Sequence, residues 1–118
     1  MLQCQCLKIP VKPEKTETLL AWIGNLKDRK DEVLEALSSE GINDEAVFVS
    51  QEGDRHFLYL YSRSEDLEAA AMAFQQSNLA VDVEFKSILA ECLDFPSALA
   101  LNPVFYADGR ERSVVCHP

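Results

Sequence analysis

Between residues 42 and 63 the chain reads INDEAVFVSQ, then EGD, then RHFLYLYSR. Two β-rich runs joined by a Gly-Asp turn predict a β-hairpin. In the second run Leu58 and Leu60 point to one face, while Phe57, Tyr59 and Tyr61 point to the other. That strand is apolar on both faces, so each face needs a cover. Upstream, LQCQCLKI predicts a first strand over residues 2–9, ended by Pro10 and the nearby Pro13. Leu19, Ile23, Leu26, Val33 and Leu37 then recur at helical spacing, with Leu20 and Leu34 widening the stripe. They predict one long helix from Thr16 to Glu40, weakened at Gly24 and stopped by Gly41.

Downstream of the hairpin, Ser62-x-x-Glu65 has the form of a capping box and Ser64 offers a second cap, so a helix is expected from about residue 64. Its stripe is Leu67, Ala70, Ala71 and Phe74. Asp82 is expected to cap a further helix carrying Phe85, Ile88, Leu89, Cys92 and Leu93, ended by Pro96. SALALNPVFYA alternates enough for a last strand, with Pro103 placing it at an edge or bulge.

The resulting order, β-α-β-β-α-α-β, is the split βαβ of the ferredoxin-like α+β fold with one extra helix. Its four-stranded antiparallel sheet has helices on one face and leaves the other open. Leu58 and Leu60, opposite Val47 and Val49, suit the helix side; Phe57, Tyr59, Tyr61 and Phe48 then lie on the open side. An open aromatic face of several hundred Å² exceeds what single chains usually expose, which predicts a homodimer of two facing sheets, a dimeric α/β barrel. Residues 1–108 are read as one domain and 109–118 as a loose tail.

Composition narrows the function classes. With 20 acidic and 11 basic residues in 118, the formal charge of −9 disfavours binding to phosphate backbones, so no nucleic-acid partner is expected. No apolar run approaches the roughly 18 residues of a membrane span, and MLQCQCLKIP has neither part of a signal peptide, so a cytoplasmic protein without membrane contact is expected. Cys4, Cys6, Cys92 and Cys116 are then thiols. Cys4-x-Cys6 lacks the spacing of common zinc sites, and a metal would need Cys92 or Cys116-His117 to converge on it. No metal and no cofactor are expected.

The run KDRKDEVLEALSSEGINDEAVFVSQEGDRHFLYLYSRSED resembles a bacterial family of small proteins of unknown function. The likeness covers about residues 5–94, and SSEGINDEAVF, LYLYSRSED and DVEFK are its most specific pieces. That family is similar in organisation to the dimeric α/β-barrel superfamily, which includes antibiotic-biosynthesis monooxygenases and muconolactone isomerases. The resemblance implies a ferredoxin-like dimer and brings no catalytic residues with it. Members often carry a His within the segment that here reads DVEFK, where this chain has Phe85.

Candidate chemistry is sparse. His56 starts a strand beside Asp54 and Arg55, with Glu52 close by, and reads as a solvated side chain. Arg63 shares a face with Tyr59 and Tyr61 and would suit a small carboxylate or polar aromatic ligand inside the barrel. The competing reading is a structural ion pair with Asp66, Glu65 or Glu45. Gln3, Gln5 and Asn102 are possible polar additions. The candidate ligand-binding set is therefore Phe57, Tyr59, Tyr61 and Arg63. Three functions stay open: a homodimer binding a small molecule in the barrel interior, a cofactor-independent oxygenase or isomerase acting on a small aromatic compound, and a protein-interaction module.

Overall fold

The computed structural model describes residues 2–111. Strand β1 (Gln3–Pro10) is followed by α1 (Thr16–Asn25), a 3-10 turn (Leu26–Arg29), α2 (Lys30–Glu40), β2 (Ile42–Glu52) and β3 (Arg55–Ser64). Helices α3 (Leu67–Gln76) and α4 (Ala80–Cys92) and a short β4 (Leu99–Leu101) complete the order. The four strands form one antiparallel sheet in the order β2-β3-β1-β4. This is the α+β arrangement that the alternating runs predict.

Cross-strand register fixes what each face presents. On the helix side the rows are Ile9–Leu58–Val49, Leu7–Leu60–Val47 and Gln5–Ser62–Glu45. The first row reaches the core through Ile9 and Leu58, fully buried against Leu19, Leu89, Cys92 and Leu93, while Val49 at its β2 end is exposed. Chain connections lock that end, with Lys12 N–H donating to Cys92 C=O (2.7 Å) and Asp94 N–H to Pro10 C=O (2.9 Å). Moving along the sheet, the rows change from aliphatic to polar, and the core gives way to a cavity.

Several local expectations need correction. The long helix is broken rather than bent: α1 ends one residue after Gly24, and α2 begins only at Lys30. Gly24 and Asn25 are poor helix formers, and Arg29 is engaged by both Glu32 (2.8 Å) and Glu84 of α4 (2.7 Å). Leu20 and Leu34 are 45% and 52% exposed and do not widen the buried stripe. Ser62 and Ser64 lie within β3, and it is Asp66 that caps α3, accepting from Ala69 N–H (3.0 Å). Asp82 sits inside the first turn of α4, which starts two residues before it at Ala80. The last strand keeps only three residues of SALALNPVFYA, because Pro103 has no N–H to continue the ladder. Of the expected tail, Val114, Val115, Cys116 and His117 lie outside the described residues; Gly109–Glu111 forms a 3-10 turn.

A register shift between Ile42 and Asp44 leaves Asn43 unpaired at the start of β2. The bulge turns Ile42 to the helix side, where it helps to line the cavity. Just before it, Gly41 ends α2 at φ +74°, and its carbonyl accepts from Ser64 Oγ (2.7 Å). A Cβ at Gly41 would meet nothing within 4 Å, so the cost of Gly41→Ala is backbone strain alone. We expect it to cost about 1–2 kcal/mol, read as a lower urea midpoint with an unchanged slope. An unaltered midpoint would contradict the left-handed cap.

Candidate functional site

The cavity lies between the sheet and the helices and has a volume of about 510 Å³. Its floor is Leu7, Val47 and Leu60 with the polar row Gln5, Glu45 and Ser62. Trp22, Leu26, Val33, Leu37, Phe74, Phe85 and Leu89 form apolar walls from all four helices and the 3-10 turn. Phe85 organises the aromatic part, stacking on Trp22 at 5.1 Å and meeting Phe74 edge-on at 5.8 Å. The size and the mixture of apolar wall and few polar groups are those of a small-molecule site.

Three acidic side chains from separate elements join this lining: Glu40 at the end of α2, Glu45 on β2 and Asp82 in the first turn of α4. Glu40 and Asp82 are only 7% and 5% exposed. Glu40 Oε2 and Asp82 Oδ2 have no hydrogen-bond partner among the described residues. Burial, then the hydrogen bond and charge of Asp82, push the Glu40 carboxyl up to about 8. Burial and the nearby Asp82 push Glu45 up to about 7. Lys86 also lines the cavity, but its Nζ donates to the carbonyls of Gln75 (3.0 Å) and Ser77 (2.9 Å), where α3 ends.

The residues expected to bind a ligand occupy the opposite face of the sheet. Phe57 is buried beneath cations of its own chain, with Lys8 Nζ 4.4 Å and the Arg55 guanidinium 5.2 Å from its ring. Tyr59 donates to Glu52 (3.3 Å), and Lys8 pairs with the same carboxylate at 3.0 Å. Tyr61 is half-buried between Ala46 and Cys6. Arg63 is 8% exposed and is held by its own chain. Its Nη2 meets Asp44 at 2.7 Å, and its Nη1 meets Tyr106 Oη at 2.8 Å and Asp108 at 3.2 Å. The expected ion-pair partners Asp66, Glu65 and Glu45 are thus replaced by Asp44, directly across the ladder, and by Asp108. Hydrogen bonds from Arg110 hold the Asp108 carboxyl down to about 2.

The remaining candidates do not converge. Gln5 faces the cavity, whereas Gln3 accepts from Leu67 N–H (3.0 Å). His56 borders a separate surface depression with Lys12 and Asp94. Cys4 and Cys6 are on the open face and Cys92 is in the core, and no cluster suited to a metal ion occurs among the described residues.

The sheet order and the one-sided helices define a ferredoxin-like α+β protein. The chain belongs to a family of unknown function (DUF6176), which it matches over residues 2–111. No curated protein matches it. Among solved structures it is similar to Rv0793 from Mycobacterium tuberculosis, with 15% identity, a TM-score of 0.57, and 92% of this chain and 100% of that one covered. A dimeric ferredoxin-like protein of unknown function from Bacteroides fragilis is 16% identical, with a TM-score of 0.57 over 88% and 96% of the two chains. A Bordetella bronchiseptica protein, provisionally named an antibiotic biosynthesis monooxygenase, is 18% identical, with a TM-score of 0.59 over 88% and 98%. At such identities the likeness establishes the fold.

The buried carboxyls have a consequence for stability. Because Glu40 and Glu45 hold protons up to about 8 and about 7, against 4.5 ordinarily, the native state binds more protons than the unfolded chain across that window. Stability therefore falls as pH rises from about 5 to 8. Urea midpoints should decline over this range in the native chain and flatten in Glu40→Gln. A midpoint that rises with pH would contradict the arrangement.

Proposed function

We propose that the protein is a homodimer, joined through the open sheet face, that binds one small, largely apolar molecule per chain. The bound molecule occupies the helix-side cavity rather than the barrel interior between subunits. The single observation that carries this reading is the cavity itself, with aromatic and aliphatic walls and a few polar groups gathered on one row of the sheet. Phe57, Tyr59, Tyr61 and Arg63 then serve the interface and its borders. The dimer is supported by what remains uncovered on the open face: Phe48 is 59% exposed, Leu99 57% and Leu101 38%. Val104 and Phe105, also exposed, lie on the segment that Tyr106 and Asp108 tie to Arg63. An oxygenase or isomerase role would be a fold-level analogy with similar proteins, and we assign no residue to it.

Two measurements test the reading. Light scattering at micromolar concentration should give about twice 13.2 kDa for the native chain. Phe48→Glu, at an exposed position, should give a folded monomer, since an isologous interface meets the new charge twice. A native monomer would overturn the dimer. Separately, the neutral dye Nile red should brighten on binding once per chain, and Ala71→Trp, which puts an indole into the cavity, should abolish the effect. Absence of binding, or binding indifferent to Ala71→Trp, would overturn the cavity as the ligand site.

A further inference from the structure

The carboxyl groups at one end of the cavity ask for a particular ligand. Glu40, Glu45 and Asp82 reach it from α2, β2 and α4, so the grouping is a product of the tertiary fold. Two of their oxygens, Glu40 Oε2 and Asp82 Oδ2, belong to side chains that are more than nine-tenths buried and have no hydrogen-bond partner among the described residues. An unpaired buried acceptor is costly, and two in contact with one cavity are costlier still.

Lys86, the cation in the lining, donates to the Gln75 and Ser77 carbonyls and acts on Glu40 through its charge alone. Among the described residues no other charged side chain lines the cavity; α3 supplies Leu67, Ala70, Ala71, Phe74 and Gln75, β1 supplies Gln5 and Leu7, and β3 supplies Leu60 and Ser62. An anionic ligand would be repelled. A divalent cation is a poor match, because no three acidic or metal-ligating groups among the described residues converge on one point. An alkylammonium group tolerates the wider spacing, since its three N–H donors reach acceptors at about 2.8 Å rather than the 2.1 Å or so of a small metal ion.

We propose that this end of the cavity receives the ammonium group of a primary amine whose apolar body lies against Trp22, Phe74 and Phe85. The proposal rests on the reading of the cavity as the ligand site and adds the charge of its ligand. In the empty state Glu40 holds a proton, and Glu45 holds another for part of the time near neutrality. An arriving ammonium supplies its own donors, so a carboxyl proton leaves to solvent and the ligand's positive charge takes its place. Affinity for the amine should then rise between about pH 6 and 8, by up to about tenfold per unit for each proton displaced.

Calorimetric titration of the full chain with phenylpropylamine, phenylpropanol and phenylpropanoate tests this, with Nile red binding run in parallel. These probes share a body and differ in the charge of the head group. At about pH 8 the amine should bind roughly tenfold or more tighter than the alcohol, as a charged hydrogen bond warrants. The carboxylate should bind most weakly, and amine binding should release protons into the buffer. Glu40→Gln and Asp82→Asn, which keep size and shape, should bring the amine down to the level of the alcohol. Glu45→Gln, at a half-buried position, should reduce amine affinity by a smaller factor and serves if either of the others fails to fold. Equal binding of amine and alcohol, or amine binding indifferent to all three substitutions, overturns the charge assignment and leaves the cavity reading standing. Failure of Nile red and of all three probes to bind overturns both.

Discussion

Strand β3 lies between β1 and β2 and carries bulky side chains on both faces, so each face has to be covered by something different. Helices α1 and α4 cover Leu58 and Ile9 tightly, with Leu19 and Cys92 fully buried around them. On the other face, Phe57 is covered locally by Lys8 and Arg55, while Phe48, Leu99 and Leu101 stay exposed in the single chain. One face thus supplies the folding core and the cavity; the other leaves the apolar surface that we propose receives a second subunit. The arrangement follows from the two-residue period of the strand, which keeps the two sets of side chains apart.

The cavity is where the helical layer fails to close over the last two rows of the sheet. Filling it with aliphatic side chains would stabilise the fold. The chain instead places Glu40, Glu45 and Asp82 there, and the cost in desolvation shows in the Glu40 and Glu45 carboxyls, held protonated well above their ordinary range. Buried acids without cations are a weak way to build a core, and strain of this kind is commonly kept where a ligand relieves it. A bound ammonium would turn the unfavourable end of the cavity into a satisfied one, which couples ligand binding to proton release.

The hairpin, the two faces of β3 and the order of elements were legible because alternation and turn chemistry are local signals. The C-cap at Gly41 was legible for the same reason. Asp66 was hidden by a better-looking capping box at Ser62, since sheet pairing claimed Ser62 for β3. Arg63 was rightly placed on the open face, but its partner Asp108 lies 45 residues away, and sequence spacing carries no trace of that contact. The acidic cluster was missed. Glu45 alone left a signal, because alternation from Val47 and Val49 puts an acid on the helix side of β2. Glu40 and Asp82 read as ordinary helix-end charges, and only the packing of α2 against α4 brings them together.

The central claim is that the two faces of one sheet have separate tasks. Isotope-filtered NMR on a dimer reassembled from labelled and unlabelled chains tests it most directly. Intersubunit contacts should arise from Phe48, Tyr61, Leu99 and Leu101, and none from Leu7, Val47 or Leu60 on the cavity side. Intersubunit contacts from the cavity-side residues, with none from Phe48 or Leu99, would contradict the account.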